Sequence, residues 1–214
     1  IKIVNSFENI KLFKVERKFP TTELNQFNII KNLFKHSKGE LILLLDSDDF
    51  FEKDKLKKIS NVFKEDLSKE CVCDIPKITN IKKKYKSFSY KKNVNPKERW
   101  PTIFPTSTIS VRRDSFSSFL NEKFEQQFAE LAIDFRLITY FYNFRQNLSI
   151  TDQELTWYIN NNDGNESKYK KYTPRWWKRR SQSFDYLLEI LKKKNFDHDK
   201  TFDYTVTRFL NKIF

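Results

Sequence analysis

Residues Gly39 to Phe51 read Gly-Glu-Leu-Ile-Leu-Leu-Leu-Asp-Ser-Asp-Asp-Phe-Phe. Five consecutive aliphatic residues, Leu41 to Leu45, are too few for a membrane span and do not alternate, the pattern of a strand buried on both faces of a parallel sheet. The run stops at Asp46, Ser47, Asp48 and Asp49, so charge collects where the strand leaves the core. In open α/β sheets that is where ligands bind. Asp46 and Asp48, at i and i+2, can converge on one hard divalent cation, Mg²⁺ or Mn²⁺, that keeps waters and bridges substrate phosphates. Asp49 reads instead as the N-cap of a following helix.

The segments on either side extend this reading. Ile10 to Val15 reads as a strand, and Ile1 to Phe7 before it as the tail of a helix. Thr21-Thr22-Glu23 opens a helix with apolar Leu24, Phe27, Ile30, Leu33 and Phe34 at three- and four-residue spacing, stopped by Gly39. A second helix, about Glu52 to Glu65, is expected to bury Leu56, Ile59 and Phe63 and to leave its lysines outside. Asp74 to Ile81 reads as a strand, and the alternation predicts a parallel sheet with right-handed crossovers. An EF-hand is excluded: counting from Asp46, its required Gly and Glu fall on Phe51 and Lys57. With 2 glycines against 22 phenylalanines there is no Gly-rich phosphate loop, so phosphate must be held by metal and basic side chains.

Thr106 to Val111 reads as a β-branched strand whose hydroxyls, Thr106 and Ser107 first, either contact a sugar or serve packing. Phe124 to Tyr142 is an amphipathic helix with Phe128, Leu131, Phe135, Ile138 and Tyr142 on one side. Within it Asp134, between Ile133 and Phe135, suits a partly desolvated general base, or pairs with Arg136. Cys71 and Cys73 stand too close for easy bridging and read as reduced thiols.

The net charge of +13 is uneven, with +8 in residues 77–99 and +7 in 165–195. Such patches imply an anionic partner. In the first, Tyr85, Phe88 and Tyr90 interleave with lysines, which suits a solvated loop or nucleic-acid stacking. In the second, Trp176 and Trp177 precede Lys178, Arg179 and Arg180, a composition that suits an anionic membrane interface.

The stretch Gly39 to Asp49 with Lys55-Leu56 after it resembles the metal-binding segment of family 2 glycosyltransferases of the GT-A fold. The resemblance spans roughly Ile10 to Tyr158. It implies donor binding by Asp46, Ser47 and Asp48, metal binding by Asp46 and Asp48, and a catalytic base on the helix that carries Arg136-Leu137. Asp134 is that base, with Glu130 as the alternative and Thr106, Ser107 and Glu130 on the acceptor side. Leu155-Thr156-Trp157-Tyr158 is similar to the family segment near the donor diphosphate, although Ile159 stands where the family has Arg.

The expected architecture is therefore α/β, GT-A-like (Rossmann-like), a mostly parallel sheet flanked by helices with a C-terminal helical appendage. Residues 1–164 form the catalytic domain, incomplete at its N-terminus since the sequence lacks Met, and 165–214 the basic, aromatic helical segment. The expected activity is inverting, divalent-cation-dependent transfer of a sugar from a nucleotide-diphosphate sugar to a glycan or lipid-linked acceptor in cell-envelope synthesis. The setting is cytoplasmic, peripheral at the inner membrane face. A haloacid dehalogenase type phosphatase, which also ends a strand with Asp-x-Asp but normally has Thr or Val where Phe50 stands, and a noncatalytic nucleic-acid binder are the alternatives.

Overall fold

A computed structural model describes residues 10–79, 88, 99–122, 127–160, 168–195 and 201–214. The expected helix over Ile1 to Phe7 and the tract Lys82 to Lys86 lie outside these. Five strands form one sheet in the order β1-β4-β3-β5-β2: β1 (Leu41–Leu43), β2 (Phe50–Phe51), β3 (Cys71–Thr79), β4 (Ile109–Arg112) and β5 (Leu148–Ile159). The helices are α1 (Thr22–His36), α2 (Lys55–Glu65), α3 (Arg113–Leu120), α4 (Ile133–Thr139), α5 (Pro174–Lys193) and α6 (Phe202–Ile213).

The α/β architecture stands, but the sheet is mixed rather than mostly parallel. Only β3 and β5 pair in parallel among the described strands, while β1 with β4, β3 with β4 and β2 with β5 pair antiparallel. β1 and β3 share a direction, as β-α-β connection through α2 requires, and β4 is inserted between them running the opposite way. β1 is consequently bonded on one side only among the described residues. Its two faces are still both covered, since Ile42 packs on the main core and Leu41 and Leu43 on a smaller cluster of Ile59, Phe63, Val72 and Leu155. Residues 10–17 form no strand, and Ile10 and Leu12 are exposed. A strand needs a neighbour to satisfy its amides, and none of the described strands lies beside this segment.

Thr21 caps α1, its Oγ1 accepting the Leu24 amide at 3.3 Å. Leu24 and Phe27 are buried as the spacing predicts, while Leu33 is exposed because it faces a cleft. In β3, Pro76 has no amide to give the ladder, and the β3–β5 register shifts between Ile75 and Pro76. Thr106 to Thr108 is a turn of 3₁₀ helix, not strand, and β4 begins only at Ile109. Phe124, where the long helix was expected to begin, lies outside the described residues; residues 127–132 are not helical, and α4 starts at Ile133 and runs into a π-helical turn at Tyr140–Arg145. The reason is local: the Arg136 guanidinium takes the carbonyls of Leu131 and Phe128, and the Glu130 amide donates to Gln182 Oε1. These groups would otherwise serve a helical ladder. Tyr186 and Ile190 of α5 belong to the same core as the sheet, and Cys71 and Cys73 are free and buried within it.

Helix α2 is rotated from its expected orientation. Leu56 is 63% exposed, and Lys55 is fully buried. Lys55 Nζ lies 2.6 Å from Asp74 Oδ2, donates to the Ser107 carbonyl at 2.7 Å and to Thr156 Oγ1 at 2.6 Å, and sits 4.1 Å from the centre of the Phe51 ring. Thr156 Oγ1 in turn donates to Asp74 Oδ1 at 2.7 Å. Burial lowers the Lys55 pKa and raises that of Asp74, and the attraction between the two opposes both shifts. Facing Leu56 inward instead would strand Asp74 as a lone buried charge, a larger cost than exposing one leucine. Lys55→Ala is therefore expected to remove about 3–5 kcal/mol of stability in urea unfolding, while Leu56→Ala stays within about 0.5 kcal/mol.

Candidate functional site

The acidic turn sits above this buried pair and is tied to it. Asp46 N donates to Ser107 Oγ at 2.9 Å, and the carbonyl of the same serine accepts from Lys55. Asp49 closes the turn: its amide donates to the Asp46 carbonyl at 3.2 Å, and its Oδ1 accepts the amide of Ile159 at 2.9 Å. Asp49 is thus a tie between the turn and the end of β5, not a helix cap. The N-cap of α2 is Asp54. The other oxygen of Asp49, Oδ2, is buried and has no hydrogen-bond partner among the described residues.

Asp46 is half-buried, and Ser47 and Asp48 are exposed. Gln26 of α1 donates to Asp46 Oδ1 at 3.2 Å, and the Thr106 hydroxyl bonds the same carboxylate. Burial first, then the neighbouring charges of Asp49 and Asp48, push the Asp46 pKa up to about 6 against these two hydrogen bonds. Asp49 is also raised, chiefly by burial, with the Ser107 hydroxyl and the Ile159 amide holding it back. Asp46 and Ser47 form one end of a cleft of about 710 Å³ between α1 and β1. Arg17, Asn25, Gln26 and Thr106 line its polar part, and Ile29, Ile30, Leu33 and Leu41 to Leu45 its apolar part.

The remaining sequence-predicted residues fall in three places. Thr106 is brought to the acidic turn, and Ser107 is turned inward as its anchor, both buried. Asp134 lies half-buried in the first turn of α4, where its Oδ1 accepts the Phe135 amide at 2.6 Å. Glu130 is buried in a separate network, accepting from Tyr169 Oη at 2.8 Å, Arg175 Nε at 3.3 Å and Lys178 Nζ at 3.2 Å. Burial works to raise its pKa, but these donors outweigh it and leave Glu130 below its usual range, which suits an ion-pair partner better than a proton acceptor. Helix α1 connects the three places. Gln26 holds Asp46, Phe27 lies 5.4 Å beneath the Arg136 guanidinium, and Thr21 Oγ1 donates to the Ala129 carbonyl at 2.7 Å.

Much of the basic segment is engaged within the chain. Lys178 pairs with Glu130, Arg179 lies over the Tyr169 ring at 4.3 Å, Arg180 pairs with Asp203 and bonds Thr207, and Trp177 is buried against Trp176. No helix among the described residues is long and apolar enough to cross a membrane. Sequence reading missed the roles of Gln26, Lys55 and Asp74. The available signals were Asp74 interrupting an apolar strand and Lys55 at four-residue spacing from Ile59 and Phe63.

A helix-flanked mixed sheet in which a strand ends in Asp-x-Asp at the mouth of a cleft has the organisation of a GT-A fold. The model of glycosyl transferase family 2 matches residues 4–125, and the chain belongs to that family. Among solved structures it is similar to S. aureus TarS 1-349 in complex with UDP-GlcNAc, with a TM-score of 0.58 and 17% identity over 98% of this chain and 57% of that one. It is also similar to S. aureus TarS 1-349 (TM-score 0.58, 16% identity, 98% and 56% covered) and to S. aureus TarS (0.54, 15%, 98% and 34%). The chain thus spans little more than half of the first two. No curated protein sequence matches it.

The raised pKa of Asp46 carries a sign. Its folded-state value of about 6 exceeds the ordinary 3.8, so the folded protein holds this proton more tightly than the unfolded chain does. Stability contributed by that proton is present below about pH 4 and is lost as pH rises through about 6. In metal-free buffer Asp46→Asn is expected to raise stability at pH 7.5 by on the order of 1–3 kcal/mol and to gain little at pH 4, as read by urea denaturation at the two pH values.

Proposed function

We propose that this chain carries the catalytic core of a divalent-cation-dependent, inverting glycosyltransferase. In this reading it moves a sugar from a nucleotide-diphosphate sugar to a hydroxyl of a glycan or lipid-linked acceptor in cell-envelope glycan synthesis. The observation that carries the reading is the position of Asp46, fixed by Gln26 and Thr106 at the mouth of the α1–β1 cleft and crowded by two further carboxylates. Family membership favours it over the phosphatase and nucleic-acid readings. The TarS structure bound to UDP-GlcNAc supports a nucleotide sugar as donor class.

The donor set fits a cation that keeps most of its waters. Among the described residues no group of three or more His, Cys, Asp or Glu forms a metal cage, but like charge crowds Asp46 and one buried oxygen of Asp49 lacks a partner. Asp46 and Asp48 would hold Mn²⁺ or Mg²⁺, and Ser47 would lie beside the diphosphate. When bound there, the cation neutralises charge that builds on the departing diphosphate. Gln26 and Thr106 keep Asp46 oriented, and the Ser107 hydroxyl fixes its backbone. Asp134 takes the proton of the acceptor hydroxyl, whose oxygen bonds to the anomeric carbon as the bond to the diphosphate breaks, so that configuration inverts. Glu130, already ion-paired with Arg175 and Lys178 of α5, is left out of the proton transfer. The acceptor is presented at an anionic membrane face. Lys178 and Arg180 are paired internally, and Lys170, Lys171 and Tyr172, all exposed, would face such a surface.

Two substitutions separate the roles. Asp48→Asn is expected to abolish most Mn²⁺-dependent affinity for a nucleoside diphosphate in calorimetry while leaving the fold unchanged, and unchanged affinity would remove Asp48 from the metal site. Asp134→Asn is expected to slow transfer by about 10²- to 10⁴-fold while donor binding persists. Transfer at the parent rate would move the base elsewhere.

A further inference from the structure

The outer face of the β2–β5 ribbon carries an aromatic pair for which the transfer chemistry above has no use. Phe50 and Trp157 are cross-strand partners, with ring centroids 5.7 Å apart and planes inclined by 21°. Their neighbours in register, Phe51 and Thr156, point the other way: Thr156 is fully buried, and Phe51 lies under the Lys55 ammonium. Strand alternation therefore turns Phe50 and Trp157 away from the core, and Phe50 keeps 49% of its surface exposed.

The pair is held in place by charged groups at its rim. Trp157 Nε1 donates to Glu52 Oε1 at 2.8 Å, the same oxygen accepts from Lys77 Nζ at 2.5 Å, and Lys77 lies 4.9 Å from the Trp157 ring centre. The Lys77 hydrogen bond, and then that of Trp157, lower the Glu52 pKa, so the rim carries a carboxylate and an ammonium side by side. Trp157 is covered by the stacked Phe50 ring and the Lys77 ammonium, and the exposed surface of Phe50, with an acceptor and a donor at the rim of the pair, suits a sugar ring. The C–H face of a pyranose packs on the electron-rich face of an aromatic ring, and its equatorial hydroxyls reach outward to polar groups.

Position selects which sugar. Phe50 follows Asp48 by two residues, and Asp49 between them is bonded to Ile159, two residues beyond Trp157. The ledge is thus continuous with the acidic turn and lies outside the α1–β1 cleft, whose lining includes Asp46 and Ser47 but neither Phe50 nor Trp157. We propose that Phe50, backed by Trp157, forms an acceptor subsite on which a sugar ring of the acceptor glycan stacks, with Glu52 and Lys77 bonding its hydroxyls. This rests on the glycosyl-transfer reading and adds to it the side from which the acceptor approaches.

Saturation-transfer NMR on the full chain tests it with two probes, methyl β-glucopyranoside and methyl N-acetyl-β-glucosaminide. The ring protons of at least one probe are expected to saturate with the parent and with Phe50→Tyr. Phe50→Leu is expected to weaken the interaction about three- to tenfold, the size of one stacked ring. Leucine keeps an apolar contact across the ribbon, so a purely structural role for Phe50 would leave the signal unchanged in that variant. Such an unchanged signal, or no saturation of either probe by the parent, overturns the subsite. So does loss of the signal on adding uridine diphosphate with Mn²⁺, which would assign the ledge to the nucleotide. Calorimetry of Asp48→Asn involves no saccharide, so a failure of the donor reading is seen separately.

Discussion

The Lys55 ammonium has no exposed surface, and its partners come from three distant stretches of chain: Asp74 on β3, Thr156 on β5 and the carbonyl of Ser107. Taking two charges out of water costs several kcal/mol for each ion, so such a pair adds little net stability over an apolar contact of the same shape. Its effect is positional. A lysine that must meet Asp74 fixes the rotation of α2, and a threonine shared by both ions fixes which face of β5 turns inward. The Ser107 carbonyl then sets the serine whose hydroxyl receives the Asp46 amide. The acidic turn inherits its place from this chain of contacts.

The turn is consequently held by its backbone and left short of counter-charge at its side chains. Ser107 secures the main chain at Asp46 and the Ile159 amide holds the Asp49 carboxylate, whereas among the described residues the donors to Asp46 are the neutral groups of Gln26 and Thr106. A carboxylate cluster arranged in this way is strained electrostatically without a cation and relaxed with one. The tension is local, because the ion pair beneath it is already neutral overall.

What the sequence made legible was whatever local pattern dictates. An aliphatic run ending in Asp-x-Asp, helix α1 with its threonine cap, and the apolar face of Ile59 and Phe63 could all be read directly. Strand direction could not, because β4 enters between β1 and β3 from a region that begins 30 residues beyond the end of β3, and no periodicity announces its orientation. Leu56 and Lys55 exchanged places for a related reason. Hydropathy ranks leucine as the inward residue, and only a carboxylate buried on another strand reverses the ranking. The run Trp176 to Arg180 looked like a free basic surface, yet Glu130 and Asp203, distant in sequence, bind two of its cations. Asp134 was singled out by its apolar neighbours, while the start of its helix was displaced by Arg136 capturing the carbonyls that a longer helix would need.

The parallel pairing of β3 with β5 has a consequence for how the molecule is made. Cys71 lies opposite Leu148 and Thr79 opposite Ile159, so the central ladder joins segments separated by more than a third of the chain. Loop-closure entropy must be met before such contacts return any free energy, which makes this ladder intrinsically slow to form. The acidic motif leaves the ribosome before Ser107, Thr156 and Ile159 but depends on them for its shape. A nascent chain that has passed Asp49 therefore carries the whole motif with none of its geometry. The site is assembled late, when β5 is captured, and the carboxylates remain hydrated until then.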